Sequence, residues 1–420
     1  MDRAERPVDP PLRRVAKSPA TDRTGRLPRM SASSLAPSAS VPRRPASAAP
    51  AARPTLFTPG PVMLDAATRC DGGEQMIYHR TAEFSRCILH CEALLKQACG
   101  ARPNDRAILL TGSGTAAMEA VVLNLFAPRR KVLVVNGGDF GHRFSEIAAV
   151  HGLSVVEIKL APGERLTAED LRPHRNGGFS GLLVNHHETS TGSLMDLALL
   201  SQFCRHQGLV FVVDAIGSFL ADPLDMAALG IDALILSSQK ALALPPGLSV
   251  ALLSERAVDR IGIVPPRSYY FDFDRYLADL PRGQTPFTPA VGVIRQLERR
   301  LGQVLQAGVA RQVAGVRALA LDFREKIRGL PFRLFSDCPS NAVTALEPLD
   351  GVPPAHYVER LAEDFGIFVC PNGGALRDRI FRVGHLGELT PDDNTRLADA
   401  LRSLVPATSA ARIDPTLLPT

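Results

Sequence analysis

The chain has 420 residues, 45% of them apolar and 22% charged, a balance that suits a folded protein with a large core and room for two domains. Its formal charge of +5 is concentrated in residues 1–53, which carry eleven Lys/Arg against four Asp/Glu, so the rest is slightly acidic and offers no electrostatic reason to bind nucleic acid or an anionic membrane. No apolar run approaches the roughly 20 residues needed to span a bilayer, and seven cysteines, odd in number and without paired spacing, suit reduced thiols in a cytoplasmic protein.

Residues 1–53, rich in Pro, Ala, Ser and Arg, cannot bury enough apolar surface to offset their ordering entropy. They read as a disordered basic extension, or as an over-extended start upstream of Met30. The segment lacks the apolar core of a secretory signal, and Asp2, Glu5 and Asp9 argue against an organelle transit peptide. Order begins near Leu56, where Pro59-Gly60-Pro61 predicts a stiff extended turn and neither helix nor strand. Phe84, Ile88, Cys91, Leu95 and Ala98 then keep helical spacing. The neighbours Cys87, His90 and Cys91 are therefore core packing and not a metal cluster.

From there to about residue 254, apolar runs alternate with helical patterns. Residues 107–110, 131–135, 155–160, 181–185, 210–213, 233–236 and 249–253 read as strands, and 116–126, 144–151 and 197–206 as helices. Most of the strands are continuous apolar runs, as expected of parallel strands covered on both faces, and the βαβ series predicts an open α/β sheet. Pro265-Pro266 and Thr285-Pro286-Phe287-Thr288-Pro289 are loops, and 291–328 holds one or two long helices. A smaller α+β unit follows, with strands 343–346 and 381–383 and helices 355–365 and 391–404. The last opens on Thr390 with Pro391, Asp392 and Asp393, a sound helix start. The expected organisation is an extension at 1–53, a large domain with an N-terminal arm at 54–305, a small domain at 306–404 and a flexible tail at 405–420.

Three features could carry chemistry. Thr111-Gly112-Ser113-Gly114-Thr115 leaves a strand and opens a helix, where glycines and hydroxyls at the positive end of the helix dipole suit a phosphate. It is neither a Walker A loop nor a G-x-G-x-x-G fingerprint, and alone it is equally a capped helix start. Asp214 ends a buried strand, where a carboxylate is costly unless paired; an ion pair or a helix cap would also explain it. Lys240 ends another, where shielding from water would lower its pKa and make it nucleophilic, although an isolated lysine more often snorkels to the surface. All three fall at the carboxyl ends of strands, where open α/β sheets bind ligands.

The order and spacing of Thr58-Pro59-Gly60-Pro61, Ser113-Gly114-Thr115 with Glu119, His187-Glu188-Thr189-Ser190-Thr191-Gly192, Val213-Asp214, Ser238-Gln239-Lys240-Ala241-Leu242 with Pro245-Pro246-Gly247, and Arg382-Val383-Gly384-His385-Leu386-Gly387 carry a resemblance. From about 55 to 400 the chain resembles the class V aminotransferases, most of all the alanine–glyoxylate and serine–pyruvate group. The resemblance implies a fold-type I PLP-dependent transferase, with a mostly parallel seven-stranded sheet and a smaller α+β C-terminal domain, and pyridoxal 5'-phosphate (PLP) as cofactor. In it Lys240 would form the Schiff base and shuttle the proton, and Asp214 would pair with the pyridinium nitrogen. Ser113, Gly114, Thr115 and Gln239 would hold the phosphate, Thr189 or Ser190 the phenolic oxygen, and Phe140 would stack on the ring where relatives often have Trp. Thr288 would be a phosphate ligand given to a second subunit, which implies a homodimer with shared sites. Arg382, with Gly60 nearby, would hold the substrate carboxylate, His385 would touch substrate or merely pack, and His79-Arg80 would line the entrance. No metal is expected.

The expected reaction moves an amino group from a small donor of alanine or serine type to a 2-oxo acid such as glyoxylate or pyruvate. A 2-aminoethylphosphonate–pyruvate transaminase is the near alternative, favoured by the Glu188–Gly192 stretch, while Gln239 and the prolines behind it favour alanine–glyoxylate. A lyase or desulfurase of the same fold would need a mobile loop cysteine, and Cys338 and Cys370 are the late candidates. Donor choice rests on pocket contacts worth roughly 1–3 kcal/mol each.

Overall fold

The computed structural model describes residues 54–406, so the predicted basic extension and nearly all of the predicted tail lie outside it. In chain order the strands are β1 (Thr55–Phe57), β2 (Arg106–Thr111), β3 (Lys131–Asn136), β4 (Ser154–Lys159), β5 (Gly181–Asn185), β6 (His187–Glu188), β7 (Ser193–Leu194), β8 (Val210–Asp214), β9 (Ala233–Ser237), β10 (Leu248–Leu253), β11 (Phe332–Leu334), β12 (Val343–Pro348), β13 (Ile367–Pro371) and β14 (Phe381–Gly384).

Seven of them form the large sheet in the order β2-β10-β9-β8-β5-β3-β4. Strand β10 runs antiparallel to both neighbours, and the other pairings are parallel. The reason for the continuous apolar runs is visible in the packing. Leu234 and Leu236 of β9 join one core cluster while Ala233 and Ile235 join the other, and Val213 and Val212 of β8 divide in the same way. The inner strands are thus buried on both faces and carry their polar residues mainly at the ends, where the site is built, whereas the edge strand β4 is only partly buried and has Glu157 in its middle.

The predicted helices are present, at Ala82–Ala98, Gly114–Leu125, Asp139–Val150 and Leu197–Gln207, the first three starting two to five residues early and the last at the predicted residue. Cys87 and Cys91 are buried in the first of these and His90 pairs with Glu298, so that stretch packs as its spacing predicts. The apolar pattern over 291–328 is two helices, Val291–Ala307 and Val309–Lys326, separated by Gly308 at φ 94°. All seven cysteines are unpaired, and among the described residues no helix is long and apolar enough to cross a membrane.

A five-stranded sheet, β1-β13-β14-β12-β11, forms the smaller layer. Here the structure departs from the reading of residues 55–61. Thr55–Phe57 is a strand paired in parallel with Ile367–Val369, and its Phe57 is fully buried beside Tyr357 and Phe381. A three-residue strand is too short to show alternation, and its partner lies more than 300 residues away. The sequence reading also missed β11, which has three residues, and β13, which has five. We propose that the large and small domains divide at 305/306, at the end of the Val291–Ala307 helix; the N-terminal arm crosses that division by giving β1 to the small sheet.

Candidate active site

Strands β5, β8 and β9 end side by side, and their registers place Asn185 opposite Asp214. Asp214 is buried, and its carboxylate accepts hydrogen bonds from Asn185 Nδ2 at 2.5 Å and the Ile216 amide at 2.7 Å. Burial pushes its pKa up to about 6, with Glu188 adding to the rise and the two hydrogen bonds opposing it. Among the described residues no cation lies within ion-pair distance of it, so this strand-end carboxylate is neither a helix cap nor half of an ion pair.

Lys240 follows β9 in a tight turn. Leu244 N donates to Ser238 O at 3.0 Å, and Ser238 Oγ to Pro245 O at 2.6 Å. Its amine makes no hydrogen bond among the described residues. Burial, with the Arg382 charge as second cause, lowers its pKa to about 8, against the pull of Asp214. Gly60 lies directly on the lysine stem: at φ +143°, a Cβ there would stand 2.6 Å from Gln239 O and 2.7 Å from Lys240 Cδ. It is a backbone wall for the lysine, a place where only glycine allows the approach.

A cavity of about 210 Å³ opens here, lined by Ser113, Gly114, Thr115, Phe140, Thr189, Asp214, Gln239 and Lys240 together with Arg143, His187, Met118, Ile216 and Gly217. Ser113 is the N-cap of helix Gly114–Leu125, yet its side chain makes no capping bond. Its hydroxyl and the Gly114 and Thr115 N–H groups are therefore left for an anion, while Ala116 N donates to Ser113 O at 2.9 Å. Gly114 brings that turn close, since a Cβ would meet Ile216 Cδ1 at 2.3 Å. Gln239 accepts from Ser237 Oγ at 2.6 Å through its oxygen, which leaves its amide N–H groups to donate.

The structure distinguishes Thr189 from Ser190. Thr189 lines the cavity, whereas Ser190 Oγ donates to Glu188 at 2.5 Å and accepts from Asp139 N at 3.1 Å. Ser190 is thus committed within the protein, and of the two hydroxyl residues Thr189 is the one that lines the cavity. Thr288 is exposed and does not line the cavity of its own chain; its loop is anchored by Ala290 N on Thr111 Oγ1 at 2.9 Å and by Phe287 stacked on Tyr270. His385 is buried away from the cavity with Nε2 on Thr344 Oγ1 at 2.7 Å, so it packs. Arg80 is held by Gln284 and the Thr285 carbonyl.

Arg382 projects from β14. Its guanidinium donates to the Thr189 and Pro371 carbonyls at 3.2 and 2.7 Å and lies 3.0 Å from Cys370 Sγ, with Nε buried and unpartnered. It has no carboxylate partner among the described residues. An arginine aimed by neutral groups keeps its charge for an incoming anion.

Three contributors went unassigned in the sequence. Glu188, fully buried, accepts from the amides of Phe140, Gly141 and Ser190 and so clamps the start of helix Asp139–Val150, which carries Phe140. Arg143 lies 4.5 Å over the Phe140 ring and reaches Thr115 Oγ1 at 3.3 Å; its i+3 spacing from Phe140 was the available signal. His187 is the third. A phosphate cradle, a lone carboxylate, a partnerless amine and an aromatic wall in one small cavity fit pyridoxal phosphate, which presents an anion, a ring nitrogen, a carbonyl and a flat face. Bound there, it supplies an electron sink for the carbanion formed at the substrate Cα.

Fold and site together define a fold-type I PLP-dependent transferase. The sequence model described as aminotransferase class-V matches residues 67–281. The soluble hydrogenase 42 kDa subunit of Anabaena cylindrica is 30% identical over 80% of this chain and 89% of its own length. The alanine–glyoxylate aminotransferase of Oryctolagus cuniculus is 29% identical over 83% and 91%. Among solved structures, an aspartate aminotransferase of subgroup IV from Thermus thermophilus superposes with a TM-score of 0.76 at 33% identity, covering 84% of this chain and 99% of that one. The chain belongs to the class-V aminotransferase family: it is a PLP-dependent transaminase acting on small amino and oxo acids.

Proposed function

We propose that this transaminase takes the amino group from a small donor of alanine or serine type and delivers it to a small 2-oxo acid such as glyoxylate or pyruvate. The observation that carries this reading is Arg382, an anion-seeking fork bonded to the carbonyl of the cavity-lining Thr189, next to a cavity of about 210 Å³ whose own arginine, Arg143, is already engaged with Phe140 and Thr115. One α-carboxylate satisfies it; with Lys240 committed to the cofactor in this reading, a second acidic group on the donor would have no free cation among the described lining residues. In this reading Ser113, Gly114, Thr115 and Gln239 hold the cofactor phosphate, Phe140 covers the ring, Thr189 meets the phenolic oxygen and Asp214 meets the ring nitrogen. Lys240 Nζ takes the proton from the substrate Cα and returns it on the cofactor side, and Gly60 with Arg382 frames the substrate carboxylate.

The PLP-loaded enzyme mixed with single amino donors, without acceptor, reports donor choice by loss of its visible band. Alanine and serine are expected to discharge the band at least about tenfold faster than aspartate, whose second carboxylate would be a buried unpaired charge, and faster than 2-aminoethylphosphonate, whose phosphonate approaches a dianion where the fork offers a single positive charge. Faster discharge by aspartate or by the phosphonate overturns the proposed donor.

We propose also that two copies share their sites. Thr288 is exposed on a loop pinned to Thr111, at the edge of the phosphate cradle, and so is presented to a neighbour and not to its own cavity. Sedimentation is expected to give a dimer, with Thr288→Ala keeping the dimer but holding PLP about tenfold more weakly, the loss of one charge-assisted hydrogen bond. A fully active monomer would refute it.

A further inference from the structure

His187 is a polar side chain the reaction has not yet used. It is 4% exposed and lines the cavity beside Lys240, Thr189 and Asp214. Among the described residues neither ring nitrogen makes a hydrogen bond of good geometry; Nδ1 lies against the Gly217 backbone, a contact that favours the ring proton and where a Cβ would come within 2.5 Å of it. A buried, unpaired polar group is costly, and one that faces a ligand cavity is explained when the ligand supplies its partner.

The strand fixes which part of the ligand that is. Asn185 contacts Asp214 at the ring-nitrogen end of the cavity, and Thr189 lines it two residues beyond His187. His187 lies between them in the chain. On the assignment above, in which Asp214 takes the ring nitrogen and Thr189 the phenolic oxygen, the ring edge between these points carries a methyl group and that oxygen. The oxygen is the one polar atom there.

We propose that His187, as a neutral imidazole, donates a hydrogen bond from a ring nitrogen to the phenolic oxygen of bound PLP, as a second donor beside Thr189. The inference rests on the cofactor placement of the preceding section. Burial, then the Lys240 and His186 charges, hold the ring's pKa down at about 3 against the contact with the Gly217 backbone, so it carries one ring proton across the working range and does not compete with Lys240 as a base. The charged groups around it are Lys240 after β9, Asp214 at the end of β8, Arg382 from β14, Arg143 from the helix carrying Phe140, and Glu188 on its own strand. A donor on the phenolic oxygen withdraws charge that would otherwise hold the proton on the adjacent lysine-linked nitrogen. Removing the donor therefore makes that nitrogen more basic.

The test is a spectral pH titration of the loaded enzyme. In His187→Ala the midpoint of the visible band is expected to rise by about one unit, one net hydrogen bond to a charged group, and PLP to be held several-fold less tightly by fluorescence. His187→Gln, which keeps a donor, should return the midpoint at least halfway to wild type. An alanine variant that keeps the band at an unchanged midpoint overturns the inference, as does a glutamine variant shifted as far as alanine. A wild-type protein that shows no band with PLP refutes the cofactor placement itself, which separates the two failures. If His187→Ala does not fold, the Gln variant is paired with His187→Asn: equal, wild-type-like midpoints support the bond, and equal displaced ones refute it.

Discussion

Lys240→Ala is expected to lower kcat by at least about 10⁴-fold, because the substitution removes both the nucleophile that links the cofactor and the base that moves the Cα proton. The protein should still fold, since Lys240 is partly exposed and its amine makes no hydrogen bond among the described residues. Thermal unfolding of the cofactor-free form should therefore match wild type within a few degrees. Lys240→Arg separates charge from chemistry: it keeps a cation near Asp214 yet cannot lose its proton, so it should be as inactive as alanine. The lowered pKa has its own signature. At pH 7 a lysine of pKa about 8 is roughly one-tenth free amine, several hundred times the fraction in an ordinary lysine. Capture of PLP by the cofactor-free enzyme should then accelerate about tenfold per pH unit up to about pH 8 and level off above it. Retention of more than a hundredth of wild-type activity by Lys240→Ala, or a capture rate still climbing steeply above pH 9, would contradict the assignment.

Asp214, Lys240 and the Ser113–Thr115 turn were legible in the sequence for one physical reason. Parallel strands buried on both faces leave no room for charge except at their ends, so a lone polar residue closing an apolar run marks the ligand edge of the sheet. The large sheet was legible for the same reason, strand by strand. What stayed hidden was chiefly non-local. Strand β1 depends on β13, and nothing within Thr55–Phe57 announces it. The difference between Thr189 and Ser190 is made by Glu188, whose carboxylate draws in Ser190 and three backbone amides. Adjacent hydroxyls look alike in a sequence; the partner that takes one of them decides which is left for the ligand. Arg382 was legible as an anion-binding residue, but its freedom from acidic partners is a fact of the surrounding β13–β14 carbonyls and Cys370.

Asp214→Asn is expected to reduce kcat by roughly 10²–10³-fold with the fold intact. Asparagine keeps the size of the side chain and can still accept from the Ile216 amide, and Asn185, whose Oδ1 has no partner, can turn its amide to accept from the new Nδ2, so the loss chiefly reports the charge. An ionised carboxylate against a protonated ring nitrogen shifts the balance between them by roughly 1–3 pKa units, and that protonation gives the ring its electron-withdrawing power. The structure shows why the site needs a strong partner. Burial, with Glu188 and against the two hydrogen bonds and the Lys240 charge, leaves the carboxyl at about pKa 6, so it is half protonated near pH 6 until a cationic ring nitrogen arrives. Occupancy by a cationic ring nitrogen pulls the carboxyl back down, and by linkage the ring nitrogen holds its proton to higher pH. Cofactor binding by wild type should therefore weaken as pH falls through about 6, where the cofactor-free carboxyl takes up a proton. The cofactor phosphate titrates in the same range, but it does so equally in both proteins. The difference between the wild-type and Asp214→Asn profiles is then the contribution of Asp214: fully present above pH 6, and lost progressively below it until the pH passes the bound-state pKa, roughly one to three units lower. Equilibrium dialysis of PLP from pH 5 to 8, with kcat measured at pH 8, checks both parts. Parallel binding profiles, or an Asn variant within threefold of wild-type turnover, would mean that Asp214 does not hold the ring nitrogen.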